Sequence, residues 1–203
     1  MPASAQVLYS NLGSGNNVYN CCSGWTISGT GTIGTSFIAA NEFQVTQSGN
    51  VGQIDVGVGL VVGPDSFYVG IFADNGGQPG SELAMFPGLN SNGNNFGSCC
   101  NLTSITNISG LSLSTGTNYW MVIGPTSTSS ATWEAWNFSN SATGNDDYST
   151  DGGQTWNRNG NQPQGAFDII GGGGGTTPEP ASLLLFGTGL VGVFGAFRRK
   201  MKL

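Results

Sequence analysis

Short apolar runs separated by clusters of Gly, Asn, Ser and Thr extend from residue 6 to residue 170 of this 203-residue chain. In the run 53–62, Ile54, Val56 and Val58 fall on one face, because side chains alternate along an extended strand. No helical period is present before residue 178. About a dozen short strands joined by turns are typical of a two-sheet fold. The pattern predicts an all-β domain, an antiparallel jelly-roll-like β-sandwich.

The end of the chain has a different composition. Pro178-Glu179-Pro180 is followed by an uncharged apolar run of 17 residues, 181–197, and then by the basic cluster Arg198-Arg199-Lys200. This length is the lower limit for a helix that crosses a bilayer, and the basic cluster favours a cytoplasmic C-terminus. A buried core helix is the alternative, but five glycines at 171–175 separate the run from the domain. We therefore predict one C-terminal transmembrane helix with the domain outside the cytoplasm.

The same tail resembles the PEP-CTERM sorting signal in its Pro178-Glu179-Pro180 motif, its apolar run and its Arg198-Arg199-Lys200 cluster, in order and spacing. In that family the signal is recognised by an exosortase, a membrane-embedded enzyme similar to a cysteine transpeptidase, which cleaves near the motif. The resemblance implies an exported protein of a Gram-negative bacterium that is anchored in the inner membrane and then processed. The mature protein is expected at the cell surface or in the extracellular matrix, near exopolysaccharide.

The start of the chain carries part of an export signal. Ala3-Ser4-Ala5 forms an A-x-A cleavage box directly before Gln6, although no basic or apolar region precedes it. We predict that the true start lies upstream; the alternative is that these are merely small residues. The predicted segments are a signal-cleavage remnant (1–5), the β-sandwich (6–170), a Gly-rich linker (171–177) and the sorting signal (178–203).

Charge separates the domain from the tail. Upstream of the tail, Arg158 is the one basic residue against ten carboxylates, which gives this part a net charge of −9. Such a surface repels nucleic acid and other polyanions. Nucleic-acid binding is therefore excluded.

Four cysteines occur as two adjacent pairs, Cys21-Cys22 and Cys99-Cys100. In an oxidising compartment four cysteines allow three disulfide connectivities. Adjacent cysteines rarely bridge each other, so we favour cross-pairing of the two doublets as one or two disulfides. Zinc is the competing interpretation, but the spacing is not that of a zinc site and the chain has no His.

The layout of the domain also resembles the exported β-sandwich modules called choice-of-anchor domains. The similar segments are Ala40-Asn41-Glu42-Phe43, Gln53-Ile54, the turn 74–80 and Tyr119-Trp120. These modules carry interchangeable C-terminal anchors. The resemblance implies a fold and a location, and no biochemical activity.

Ser149, Asp151, Gly153, Thr155 and Trp156 fit the Asp-box pattern S-x-D-x-G-x-T-W. The pattern resembles a hairpin of sialidases and other β proteins, in which the Asp accepts N–H bonds in the turn and the Trp packs beneath it. A single copy predicts a structural hairpin, and a sialidase would need an arginine triad that this chain lacks.

Calcium is the metal for which the sequence offers oxygen ligands. Asn145, Asp146, Asp147 and Asp151 place oxygen ligands within seven residues, which suits calcium, but the spacing is not that of an EF-hand. A solvated turn is the alternative interpretation, and we expect no other metal or cofactor.

Two further functions compete with a surface role. A lectin-like sandwich could stack sugars on aromatic side chains, although most of these are expected in the core: Tyr119, Trp120, Trp133, Trp136, Tyr148 and Trp156. A glycoside hydrolase needs two nearby carboxylates, for which Glu42 and Glu134 are the best candidates. The absence of His removes most other hydrolase mechanisms. We expect a surface or matrix protein without enzyme activity, then a lectin, and a hydrolase last.

Overall fold

The computed structural model describes residues 6–15 and 17–172. These residues form thirteen strands and one short helix. The elements are β1 (Val7–Ser10), β2 (Asn20–Ser28), α1 (Thr30–Ile33), β3 (Ile38–Phe43), β4 (Gly49–Val56), β5 (Val58–Val62), β6 (Phe67–Asp74), β7 (Pro79–Leu89), β8 (Thr103–Thr106), β9 (Ser112–Leu113), β10 (Tyr119–Pro125), β11 (Trp133–Ser149), β12 (Asn157–Gly165) and β13 (Phe167–Gly171).

The strands form two sheets. The first has the order β1-β13-β4-β8, with β9 paired to β4. The second has the order β12-β11-β3-β10-β6-β7, with β2 and β5 paired to β11. Every ladder between these strands is antiparallel. The predicted all-β antiparallel fold is confirmed.

Eight of the strands cross between the sheets at every step along the chain except from β6 to β7, which are neighbours in the second sheet. In chain order they are β1, β3, β4, β6, β7, β8, β10 and β13. Numbered one to eight, they lie as 1-8-3-6 in the first sheet and 2-7-4-5 in the second. Two interleaved Greek keys produce this arrangement, as in a jelly roll.

Alternate residues of both sheets fill the space between them. Ile54 and Ile169 of the first sheet and Val69 and Ile71 of the second are fully buried in one apolar cluster. Residues with the opposite parity on β3 and β10, including Trp120, form a second buried cluster on the other face of the second sheet. The second sheet is therefore covered on both faces over these two strands.

The run 53–62, predicted as a single strand, is divided in the structure. It breaks at Gly57, so that β4 pairs in the first sheet and β5 pairs with β11 in the second. A Cβ at Gly57 would lie 2.9 Å from the ring of Tyr19, so a larger residue would clash at the crossing. Apolar alternation continues through the break, which is why the sequence pattern concealed it.

Several predicted segments lie outside the described residues: the cleavage remnant 1–5, the linker beyond Gly172, and the sorting signal 178–203 with its transmembrane helix. The described residues all belong to one compact unit, Met1–Gly173. β13 extends to Gly171, the first residue of the predicted linker. Among the described residues, no helix has the length and apolar character needed to cross a bilayer.

Candidate functional site

The two cysteine doublets come together in the fold. Cys21 on β2 and Cys99 in the loop before β8 are joined as a disulfide, with Cα atoms 5.5 Å apart and a sequence separation of 78. The sulfur of Cys100 lies against that of Cys99. Cys22 is free and exposed, because neighbouring residues of a strand point to opposite faces. The structure therefore holds one cross pair between the doublets, and Cys22 takes no part in a second.

The predicted Asp-box forms the turn between β11 and β12. Asp151 Oδ1 accepts the backbone N–H groups of Gln154 (3.0 Å) and Thr155 (2.9 Å), and Asp151 Oδ2 accepts the Thr155 hydroxyl (2.6 Å). Ser149 donates its hydroxyl to Asp151 Oδ1 and accepts the N–H of Gly153. These hydrogen bonds lower the pKa of Asp151 to about 2. All of these hydrogen bonds to the Asp151 carboxylate come from residues of the same turn.

The three aspartates proposed for calcium do not converge. Asp146 is buried and accepts bonds from Asn41 (2.7 Å) and Asn159 (3.0 Å), and burial raises its pKa to about 7. Asp147 points to the other face of β11, toward Arg158 at 3.8 Å, and burial raises its pKa to about 6. Asp151 is held in the Asp-box. Among the described residues, the one group of three close candidate ligand atoms is that of the sulfurs of Cys21, Cys99 and Cys100, two of which are joined in the disulfide and so are not thiolates.

The aromatic side chains considered for a lectin-like surface do not form a platform. Trp120 and Trp136 are fully buried, and their indole N–H groups donate to Asp74 (2.9 Å) and to the Ala166 carbonyl (3.1 Å). Tyr119 is also buried. Trp133 and Trp156 are half-buried, and Tyr148 is exposed. The expectation that most of these side chains lie in the core therefore agrees with the structure, and the set offers no shared surface on which a sugar could stack.

The two carboxylates considered for glycoside hydrolysis lie in different environments. Glu134 is fully buried, and its Oε1 accepts the backbone N–H of Ser66 at 2.8 Å. Burial and the neighbouring Asp65 raise the pKa of Glu134 to about 8. Glu42 instead lines an open groove that does not include Glu134. The two therefore do not flank a common substrate position.

The groove at Glu42 was not predicted from the sequence. It has a volume of about 470 Å³ and lies where β3 and β11 separate. Its polar lining residues come from four distant parts of the chain: Glu42, Gln44, Asn118, Asn145, Asn161 and Gln164. Asparagine is so frequent in the turns of this chain that no sequence signal distinguished these residues from turn formers.

Comparison with known proteins identifies the tail and gives no relative for the domain. The family model of the PEP-CTERM protein-sorting motif matches residues 176–200. The chain is a PEP-CTERM protein. The motif implies that this PEP-CTERM protein is exported and sorted by an exosortase. Searches of curated proteins and of solved structures found no match. The resemblance of the domain to choice-of-anchor modules stays a prediction.

Proposed function

We propose that this PEP-CTERM protein is a cell-surface or matrix protein of a Gram-negative bacterium. Its apolar segment 181–197 holds it in the inner membrane until an exosortase cleaves near Pro178-Glu179-Pro180. The observation that supports this proposal most directly is the match of the sorting motif to residues 176–200, which follow the domain in sequence. The mature domain then associates with exopolysaccharide outside the cell.

The architecture supports a passive role for the domain rather than a catalytic one. The chain has no His, and Glu42 is the one carboxylate that lines the groove among residues 6–15 and 17–172. A glycosidase needs a second carboxyl group about 5–10 Å away. We propose that the domain is not an enzyme and needs no cofactor.

The sorting proposal is tested by the mass of the mature protein in strains with and without the exosortase. We expect a product that lacks Arg198 to Leu203 when the exosortase is present, and the intact C-terminus when it is absent. Replacing Pro178-Glu179-Pro180 by three alanines should prevent cleavage. The matched control changes Gly174 and Gly175 to serine and should be cleaved normally.

The opposite result would be a mature mass that includes Arg198 to Leu203 in both strains. The tail would then be a simple membrane anchor, and the proposed processing would be wrong.

A further inference from the structure

The groove at Glu42 owes its shape to the end of a strand ladder. β3 and β11 are paired from Ile38 as far as Asn41, which lies opposite Asp146. Beyond this pair, β11 residues 143–145 keep their pairing with β12 on one side and have no β3 partner on the other. Glu42 therefore pairs with Trp120 of β10 on one side and faces a gap on the other, and this gap is the groove.

The polar groups of the groove are held in place before any ligand arrives. Glu42 accepts the Nδ2 of Asn118 on one carboxylate oxygen and the Nδ2 of Asn145 on the other, both at 2.5 Å. Gln44 donates to the Oδ1 of Asn118. Side chains that are already fixed lose little conformational freedom when a ligand binds.

The floor of the groove is equally well defined. Gln164 is 5% exposed and donates to the backbone carbonyl of Glu42 at 2.6 Å. Tyr9 donates its hydroxyl to Gln164 Oε1 at 2.8 Å. Burial raises the pKa of Tyr9 to about 12, so the hydroxyl stays protonated and keeps this bond. The floor is therefore the buried side-chain amide of Gln164, whose oxygen and nitrogen each have a hydrogen-bond partner.

The free hydrogen-bonding groups indicate the ligand class. Within the described part of the chain, Asn145 keeps one N–H and its carbonyl oxygen for a ligand, and Glu42 keeps carboxylate lone pairs. Neighbouring hydroxyls of a sugar both donate and accept, so they match this mixture. Among the described residues, no basic side chain lines the groove, and the domain carries a net charge of −9, which disfavours an anionic ligand. Apolar lining is limited to Phe43 and the ring of Tyr9, which gives little surface for an apolar peptide.

We propose that this groove is a binding site for a neutral polysaccharide, held by Glu42, Asn118 and Asn145 without cleavage. This inference rests on the proposed function for its setting, since an exported domain meets polysaccharides outside the cell. It can still be tested apart from sorting, because binding is measured on purified protein.

The test uses the full chain, purified in a detergent without a sugar headgroup. Its migration is measured by affinity electrophoresis in gels that contain dextran, mannan or a neutral β-glucan, with alginate as the anionic comparison. We expect retardation by at least one neutral polymer and none by alginate. Asn145→Ala and Glu42→Gln should weaken that binding at least tenfold.

Matched controls separate binding from folding. Asn140→Ala removes an exposed amide on the same strand outside the groove, and Glu82→Gln removes an exposed carboxylate on β7; both should bind like the unaltered chain. Thermal unfolding of Asn145→Ala should match that of Asn140→Ala. The proposal is overturned if no neutral polymer retards the protein, if alginate does so equally, or if both groove variants bind normally. None of these results bears on cleavage of the tail, so the two proposals fail separately.

Discussion

Glu134 should make the domain lose stability as the pH rises. Its side chain has no exposed surface, and burial together with Asp65 raises its pKa from 4.5 to about 8. The folded state therefore holds this proton more tightly than the unfolded state. The resulting stabilisation is complete below pH 4.5 and is lost as the pH rises toward 8. Each pH unit in this window costs about 1.4 kcal/mol, so the loss at pH 7 is about 3 kcal/mol.

Glu134→Gln should remove this dependence. A glutamine does not titrate, and its Oε1 can still accept the Ser66 N–H that Glu134 accepts at 2.8 Å. From pH 5 upward, we expect the free energy of unfolding of the variant to rise relative to that of the unaltered domain. The difference should reach about 3 kcal/mol near neutral pH. Some slope should remain, because burial also raises the pKa of Asp146 and Asp168 to about 7.

The assay is urea unfolding of the unit Met1–Gly173 at pH 5, 6, 7 and 8, followed by tryptophan fluorescence. Glu82→Gln is the control, since it removes an exposed carboxylate, and its curve should run parallel to that of the unaltered domain. Parallel curves for Glu134→Gln and the unaltered domain over this range would refute the argument. So would a variant that is less stable at pH 8.

Two further predictions concern the disulfide and the Asp-box. Cys21→Ser removes a disulfide between residues 78 apart in sequence and should lower the free energy of unfolding by about 4 kcal/mol under oxidising conditions. Cys22→Ser should change the free energy of unfolding little, because Cys22 is free. The urea midpoints of the two variants test both expectations. Asp151→Asn should loosen the turn. Because the folded-state pKa of Asp151 is lowered to about 2, the effect of the substitution should be present above pH 4 and vanish as the pH falls through 2. Hydrogen exchange of the Thr155 amide measures the loosening, and equal protection of this amide in both proteins at pH 6 would contradict the prediction.

Local chemistry explains which features the sequence could predict. The Asp-box was predictable because all its partners lie within eight residues and depend on residue type. The buried face of β6 was predictable because Phe67, Val69 and Ile71 alternate, and all three are fully buried. Both features depend on neighbours in sequence.

Long-range pairing explains what the sequence could not predict. Glu42 and Asn145 are 103 residues apart, and they meet because β3 pairs with the second half of β11. No periodicity records that pairing. The break at Gly57 was hidden for a similar reason, since the apolar alternation continues while the strand changes sheets.

The position of β13 within its sheet has a mechanical consequence for a tethered protein. β13 is hydrogen-bonded to β1 on one side and to β4 on the other, and the tail continues from its end. A pull along the tail therefore loads two ladders at once, whereas an edge strand would peel from one neighbour. If the tail anchors the domain as proposed, a force applied there reaches β13 first, and the hydrogen bonds of both ladders must break before the strand is extracted.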